Sequence, residues 1–119
     1  MSGFTIVHAD DFERPFPKWA LARKALGVTS FGLNLVELPP GESIPEHDER
    51  ERDQEEVFVT LAGEATLVID GEEHSAPAGT YARLDPEPQR TVVNRSDAPA
   101  TVLIVSAPRT SGYQPLDWA

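Results

Sequence analysis

The sequence predicts an all-β barrel with one short helix near its N-terminus, and three observations carry that prediction. Eleven prolines and eight glycines break the 119-residue chain at short intervals, which leaves little room for long helices. Between the breaks stand short runs rich in β-branched and aromatic residues, a composition suited to a pleated, half-buried surface. Two of the breaks, Ala62-Gly63 and Asp70-Gly71, have the chemistry of tight turns between strands.

Taken in chain order, the elements begin with His8, on what reads as a first strand. The helical candidate is 17–26: Pro17 suits a first turn, Gly27 suits a stop, and Trp19, Ala22 and Leu26 fall on one face. Strands are expected at 31–38, 57–61, 65–69, 81–84, 91–93 and 101–105, with 55–74 forming a β-meander through its two turns. Short strands at regular spacing indicate a barrel or sandwich. The length fits one domain over 1–119, with a barrel core over 31–108 and an irregular tail over 109–119. Tyr113 and Trp118 in that tail are expected to dock on the barrel or on a partner subunit, because large aromatics bury much apolar area.

Composition narrows the function. Ten basic residues stand against twenty acidic ones, a net charge of −10. Such a surface repels phosphate backbones and anionic lipid, so neither nucleic acid nor membrane is an expected partner. No apolar stretch is long enough to span a bilayer, and residues 1–12 lack the features of a signal peptide. The absence of cysteine excludes disulfides, thiolate metal sites and a cysteine nucleophile, and suits a cytoplasmic location. There is no glycine-rich phosphate loop, no Gly-x-Ser-x-Gly turn and no His-Glu-x-x-His pair.

The chemistry-bearing residues cluster in two stretches. The first runs from Gly41 through His47, Glu49 and Glu56 to Gly63; the second runs from Gly71 through Pro77-Ala78-Gly79 and Pro86 to Arg90 and Asn94. With these turns and spacings the chain resembles the cupin superfamily over about two-thirds of its length, most specifically from Glu55 to Gly71. The resemblance implies a double-stranded β-helix, or jelly-roll barrel, in which three histidines and one glutamate bind a divalent metal. His47 matches the first histidine position and Glu56 matches the glutamate. The second histidine position holds Glu49 and the third holds Arg90, so the metal motifs are degenerate. The loop from His47 to Glu56 is also longer than the family pattern.

Two readings of this site follow. His47, Glu49 and Glu56 are the ligand set if a metal is bound, and imidazole with carboxylates suits iron, manganese or zinc. Arg90 argues against it, since a guanidinium has no lone pair and stays charged. In the second reading Arg90 replaces the metal as counter-ion to Glu56. Alternation puts Glu56, Phe58 and Thr60 on one strand face. Phe31, Leu33, Phe58 and Val92 are candidate walls, and His47, Glu49, Glu56, Phe58, Arg83 and Arg90 are candidate ligand-binding residues. Tyr81 and Arg83 share a face and either line the cavity or cover a sheet edge. His74 reads as a surface residue, and much of 46–56 as a solvated loop.

The expected function is binding of a small polar or anionic organic molecule in the barrel. An isomerase, lyase or dioxygenase-like enzyme is compatible with it, with His47 as base, Tyr81 as acid and Glu56 orienting the base. The alternatives are a metal-dependent enzyme and a non-catalytic structural or regulatory barrel. The resemblance also implies a homodimer.

Overall fold

The computed structural model describes residues 3–119, which form a jelly-roll barrel. Its elements are β1 (Trp19–Ala20), α1 (Ala22–Leu26), β2 (Gly32–Leu38), β3 (Gln54–Ala62), β4 (Glu64–Ile69), β5 (Glu72–Pro77), β6 (Tyr81–Leu84), β7 (Arg90–Val93) and β8 (Ala100–Pro108). All pairing is antiparallel, in a five-stranded sheet ordered β1-β2-β8-β3-β6 and a three-stranded sheet ordered β5-β4-β7. No helix among the described residues is long and apolar enough to cross a membrane.

Side-chain alternation builds the core. Val36 and Leu38 of β2, Phe58 of β3, Leu67 of β4, Val92 of β7 and Val102 of β8 are buried in one cluster between the two sheets. The same inward rows change character along the strands. Register places Asn34 opposite Ile104 and Phe58 opposite Ile104, then Gly32 and Glu56 both opposite Ser106. The inward face therefore runs from Val36, Leu38, Phe58 and Val102 at one end to Asn34, Gln54, Glu56 and Ser106 at the other. The barrel is sealed at its apolar end and polar at its other end.

The segment before β3 closes the wall beside β7. Ser43 bridges Val93, and His47 bridges Arg90. The His47 amide donates to the Arg90 carbonyl at 3.0 Å, and the Arg90 amide returns the bond at 2.7 Å. Asn94 anchors the far end of this wall: its amide nitrogen donates to the Leu38 carbonyl at 2.9 Å and the Ala98 carbonyl at 2.7 Å.

The β4–β5 turn is made by Asp70 and Gly71, with φ of 50° and 81°. Both central residues take the positive φ that matches hairpin twist. The β3–β4 turn needs glycine for two reasons. Gly63 has φ of 74°, and a Cβ there would overlap the Pro99 carbonyl oxygen and approach Ala100 Cα to 3.0 Å. Gly63→Ala should therefore lower stability by about 2–4 kcal/mol, from backbone strain and overpacking together. A fall in the urea midpoint at constant m-value is the expected result; an unchanged midpoint would show that the turn relaxes freely.

Several expectations are corrected. The helix spans only Ala22–Leu26. Lys18 has φ of 83°, which a right-handed helix cannot include, and its carbonyl accepts from the Glu37 amide at 2.7 Å. Trp19 and Ala20 instead add to the edge of β2, opposite Val36 and Leu35. His8 is not on a strand: its Nδ1 accepts from the Asp10 amide at 3.1 Å and caps a 3-10 turn at Ala9–Asp11. His74, by contrast, is the surface residue expected, on β5 with half its side chain exposed. In the tail, Tyr113 and Trp118 do not dock on this barrel, since both are exposed.

Candidate functional site

The polar end of the barrel is where the candidate residues meet. Glu56 points inward from β3 with 7% of its side chain exposed. Two cations flank its Oε1: Arg90 Nε at 3.6 Å and His47 Nε2 at 3.7 Å. Neither distance makes a hydrogen bond, and Glu56 Oε1 and Arg90 Nε are both buried without a hydrogen-bond partner. Buried polar atoms of this kind are uncommon and call for a functional explanation.

Arg90 is wholly enclosed. Its remaining nitrogens turn away from the barrel mouth: one donates to the Pro86 carbonyl at 3.3 Å and another to the Asp85 carbonyl. The proline-rich turn before β7 thus supplies the acceptors that a buried guanidinium requires.

His47 stands at the cavity wall with about a third of its side chain exposed. Its Nδ1 donates to the Pro45 carbonyl at 3.0 Å. A carbonyl accepts only, so Nδ1 carries a proton, and Nε2 faces a carboxylate. Only the imidazolium offers a proton to both neighbours. The Glu56 carboxylate raises the imidazolium above the ordinary histidine range; the Pro45 carbonyl and the Glu49 charge add to this, while burial opposes it. With the folded value above the unfolded one, the stabilisation is complete below the ordinary value and is lost as pH rises through the raised one. Burial, and then the charge of Glu56, pushes the Glu49 carboxyl upward as well.

These groups line a cavity of about 250 Å³, whose walls include Trp19, Leu33, Asn34, Arg52, Gln54 and Ser106. His47, Glu49 and Glu56 all contribute to it. Other candidates do not. Phe58 and Val92 are packed in the core. Arg90 lies behind Glu56 rather than on the cavity surface. Tyr81 is 74% exposed on the edge strand β6, and Arg83 projects to solvent, paired with Asp85 and with Glu55 at 3.6 Å. Both cover the sheet edge and stand outside the site. Phe31 is partly exposed and lines a neighbouring lobe.

Period-two alternation is the signal that identifies three wall residues absent from the sequence-based candidates. Gln54 follows from Glu56, Asn34 from Val36, and Ser106 from Ile104. Trp19 and Arg52 had no such signal, because one sits on a two-residue edge strand and the other in a turn.

The match to known proteins agrees with this architecture. The family model for the Cupin domain matches residues 34–106. The chain belongs to the cupin family. Among curated proteins none matches this cupin in sequence. Among solved structures, a cupin protein from Bacteroides fragilis superposes with a TM-score of 0.81 at 23% identity, covering 98% of this chain and 93% of that one. A sugar phosphate isomerase of the cupin superfamily from Silicibacter pomeroyi gives 0.73 at 27% identity, covering 87% and 75%. A predicted oxalate decarboxylase from Thermotoga maritima gives 0.72 at 20% identity, covering 87% and 98%, which shows the shared fold.

The divalent metal implied by the family resemblance does not fit this cupin's donor set. A guanidinium stands where a third histidine would be, 3.6 Å from the carboxylate that would be a ligand. Among the described residues no three His, Cys, Asp or Glu side chains converge as a metal-holding group, and His47, Glu49 and Glu56 do not form one.

Proposed function

We propose that this cupin binds a small hydroxylated organic molecule at the polar end of its barrel, against the His47–Glu56 pair. The observation that carries the reading is the Glu56 carboxylate at the wall of a cavity, with one oxygen enclosed between His47 and Arg90 and neither cation within hydrogen-bond distance. A ligand hydroxyl donates to the other oxygen of this carboxylate, which is not enclosed. Asn34, Gln54 and Ser106 supply further donors and acceptors, and Trp19 and Leu33 supply an apolar surface. A few converging polar groups set in apolar walls are the general pattern of metabolite pockets. The volume suits a molecule well below drug size.

A second reading, acid–base isomerisation of the bound molecule, is favoured by the same pair. His47 Nε2 presents a proton at the cavity wall, and Glu56 holds it there. This combination suits general acid catalysis near neutral pH. The likeness to a sugar phosphate isomerase supports this direction.

The test uses Trp19 fluorescence in a Trp118→Phe background, which leaves one tryptophan, with pentoses, hexoses and their hydroxy acids as probes. Saturable changes are expected for at least one probe, weakened about tenfold by His47→Gln. For the acids, affinity should fall as pH rises through the raised His47 value, because the bound anion loses its imidazolium partner. No saturable change from any probe at about 10 mM, a concentration beyond metabolite-range affinities, would overturn the proposal.

A further inference from the structure

Ion pairing across the molecule singles out two cations. The sequence contains ten lysines and arginines, and eight of them have a carboxylate oxygen within 4.0 Å. Among the described residues Arg23 and Arg52 have none, although acidic residues outnumber basic ones two to one. Both line one lobe, of about 420 Å³, together with Thr29, Ser30 and Phe31. This lobe is continuous with the His47–Glu56 cavity: Gly32, Asn34, Arg52, Gln54 and Ser106 line both. Arg23 is steadied by donating to the Val28 carbonyl at 3.0 Å. Arg52 feels the charge of Glu49 but makes no hydrogen bond or ion pair among the described residues.

We infer that the ligand is a phosphorylated hydroxylated molecule whose phosphoryl group sits in the Arg23–Arg52 lobe while its hydroxyls reach Glu56. The inference rests on the binding proposed above and adds the ligand's charged end. A net charge of −10 repels anions everywhere except where cations are left unneutralised. One guanidinium fork satisfies a carboxylate. Two guanidiniums with the hydroxyls of Thr29, Ser30 and Ser106 match the greater charge and the three terminal oxygens of a phosphoryl group. The shared wall makes the two lobes one site with an anionic end and a hydroxyl-binding end.

The experiment compares ribose 5-phosphate and glucose 6-phosphate with ribose, glucose and inorganic phosphate, by calorimetry and Trp19 fluorescence. At least one ester should bind about tenfold or more tighter than its parent sugar and than inorganic phosphate. Arg23→Gln should remove about tenfold from ester binding and leave parent-sugar binding unchanged, while Arg52→Gln, at the wall the two lobes share, should weaken ester binding about tenfold more than it weakens parent-sugar binding. Both side chains are exposed, so the variants keep the fold. Arg50→Gln, at a cation already paired with Asp48, should change neither. His47→Gln should weaken ester and parent alike. Parents that bind as well as their esters would overturn the phosphoryl assignment and leave the hydroxyl site standing. Inorganic phosphate that binds as well as the esters would overturn the assignment of one continuous ligand. Binding of neither esters nor parents would overturn both proposals.

Discussion

Arg90→Met should destabilise the protein by about 3–5 kcal/mol, the effect of breaking a buried ion pair from one side. Arg90 has no exposed side-chain area, and it serves three partners at once: the Glu56 carboxylate and the carbonyls of Asp85 and Pro86. Methionine fills much of the space but donates to none of them. Glu56 then keeps its charge in a closed wall with only the partly buried His47 opposite. Urea unfolding should show a lower midpoint with the m-value unchanged. The double variant Arg90→Met/Glu56→Gln separates this account from simple loss of packing. It removes both charges, so its loss should be smaller than the sum of the single losses by about 1–3 kcal/mol. Strict additivity would show that the guanidinium acts through packing and its two carbonyl bonds alone.

Arg90→His should convert the same site into a metal centre. Residues 47 and 90 face one another across a β-bridge, a placement that brings Cβ atoms to within about 4.5–5.5 Å. Two imidazoles so placed, with Glu56 between them, supply three ligands and leave an open position for water. The variant should bind about one equivalent of Co²⁺ or Zn²⁺, visible as cobalt d–d absorption, and its melting temperature should rise with metal. Adding Glu49→His should tighten binding further. The wild-type chain should show neither response under the same conditions. A wild-type chain that bound as strongly as the variant would refute the role given to Arg90.

The barrel was legible in the sequence because its signals are local and physical. The Asp70-Gly71 turn, the Gly63 turn and the alternation of Glu56, Phe58 and Thr60 each follow from backbone geometry, and the structure has all three. The helix was overestimated for an equally local reason. Trp19, Ala22 and Leu26 satisfy helical spacing, yet pairing with β2 claims Trp19 and Ala20. Tyr81 and Arg83 shared a strand face, but alternation alone does not say which face is inward. That choice depends on partners distant in sequence, here β3 across the edge. Arg52 was the hardest to see. Within a run of mixed charges nothing distinguishes it from Arg50, until folding gives Arg50 a carboxylate neighbour and leaves Arg52 without one.

The bridge between His47 and Arg90 has a further consequence for how this barrel tolerates change. The wall before β3 is tied to β7 by backbone bonds at Ile44 and His47 and to the preceding turn at Glu49, whereas 50–53 form a turn outside the strand ladder. Insertions or deletions in that turn relocate Arg52 without moving His47 or exposing the edge of β7. Length variation there is a route by which the cation arrangement of the Arg23–Arg52 lobe can change while the His47–Glu56 pair stays in register, so the two ends of the proposed site can evolve separately.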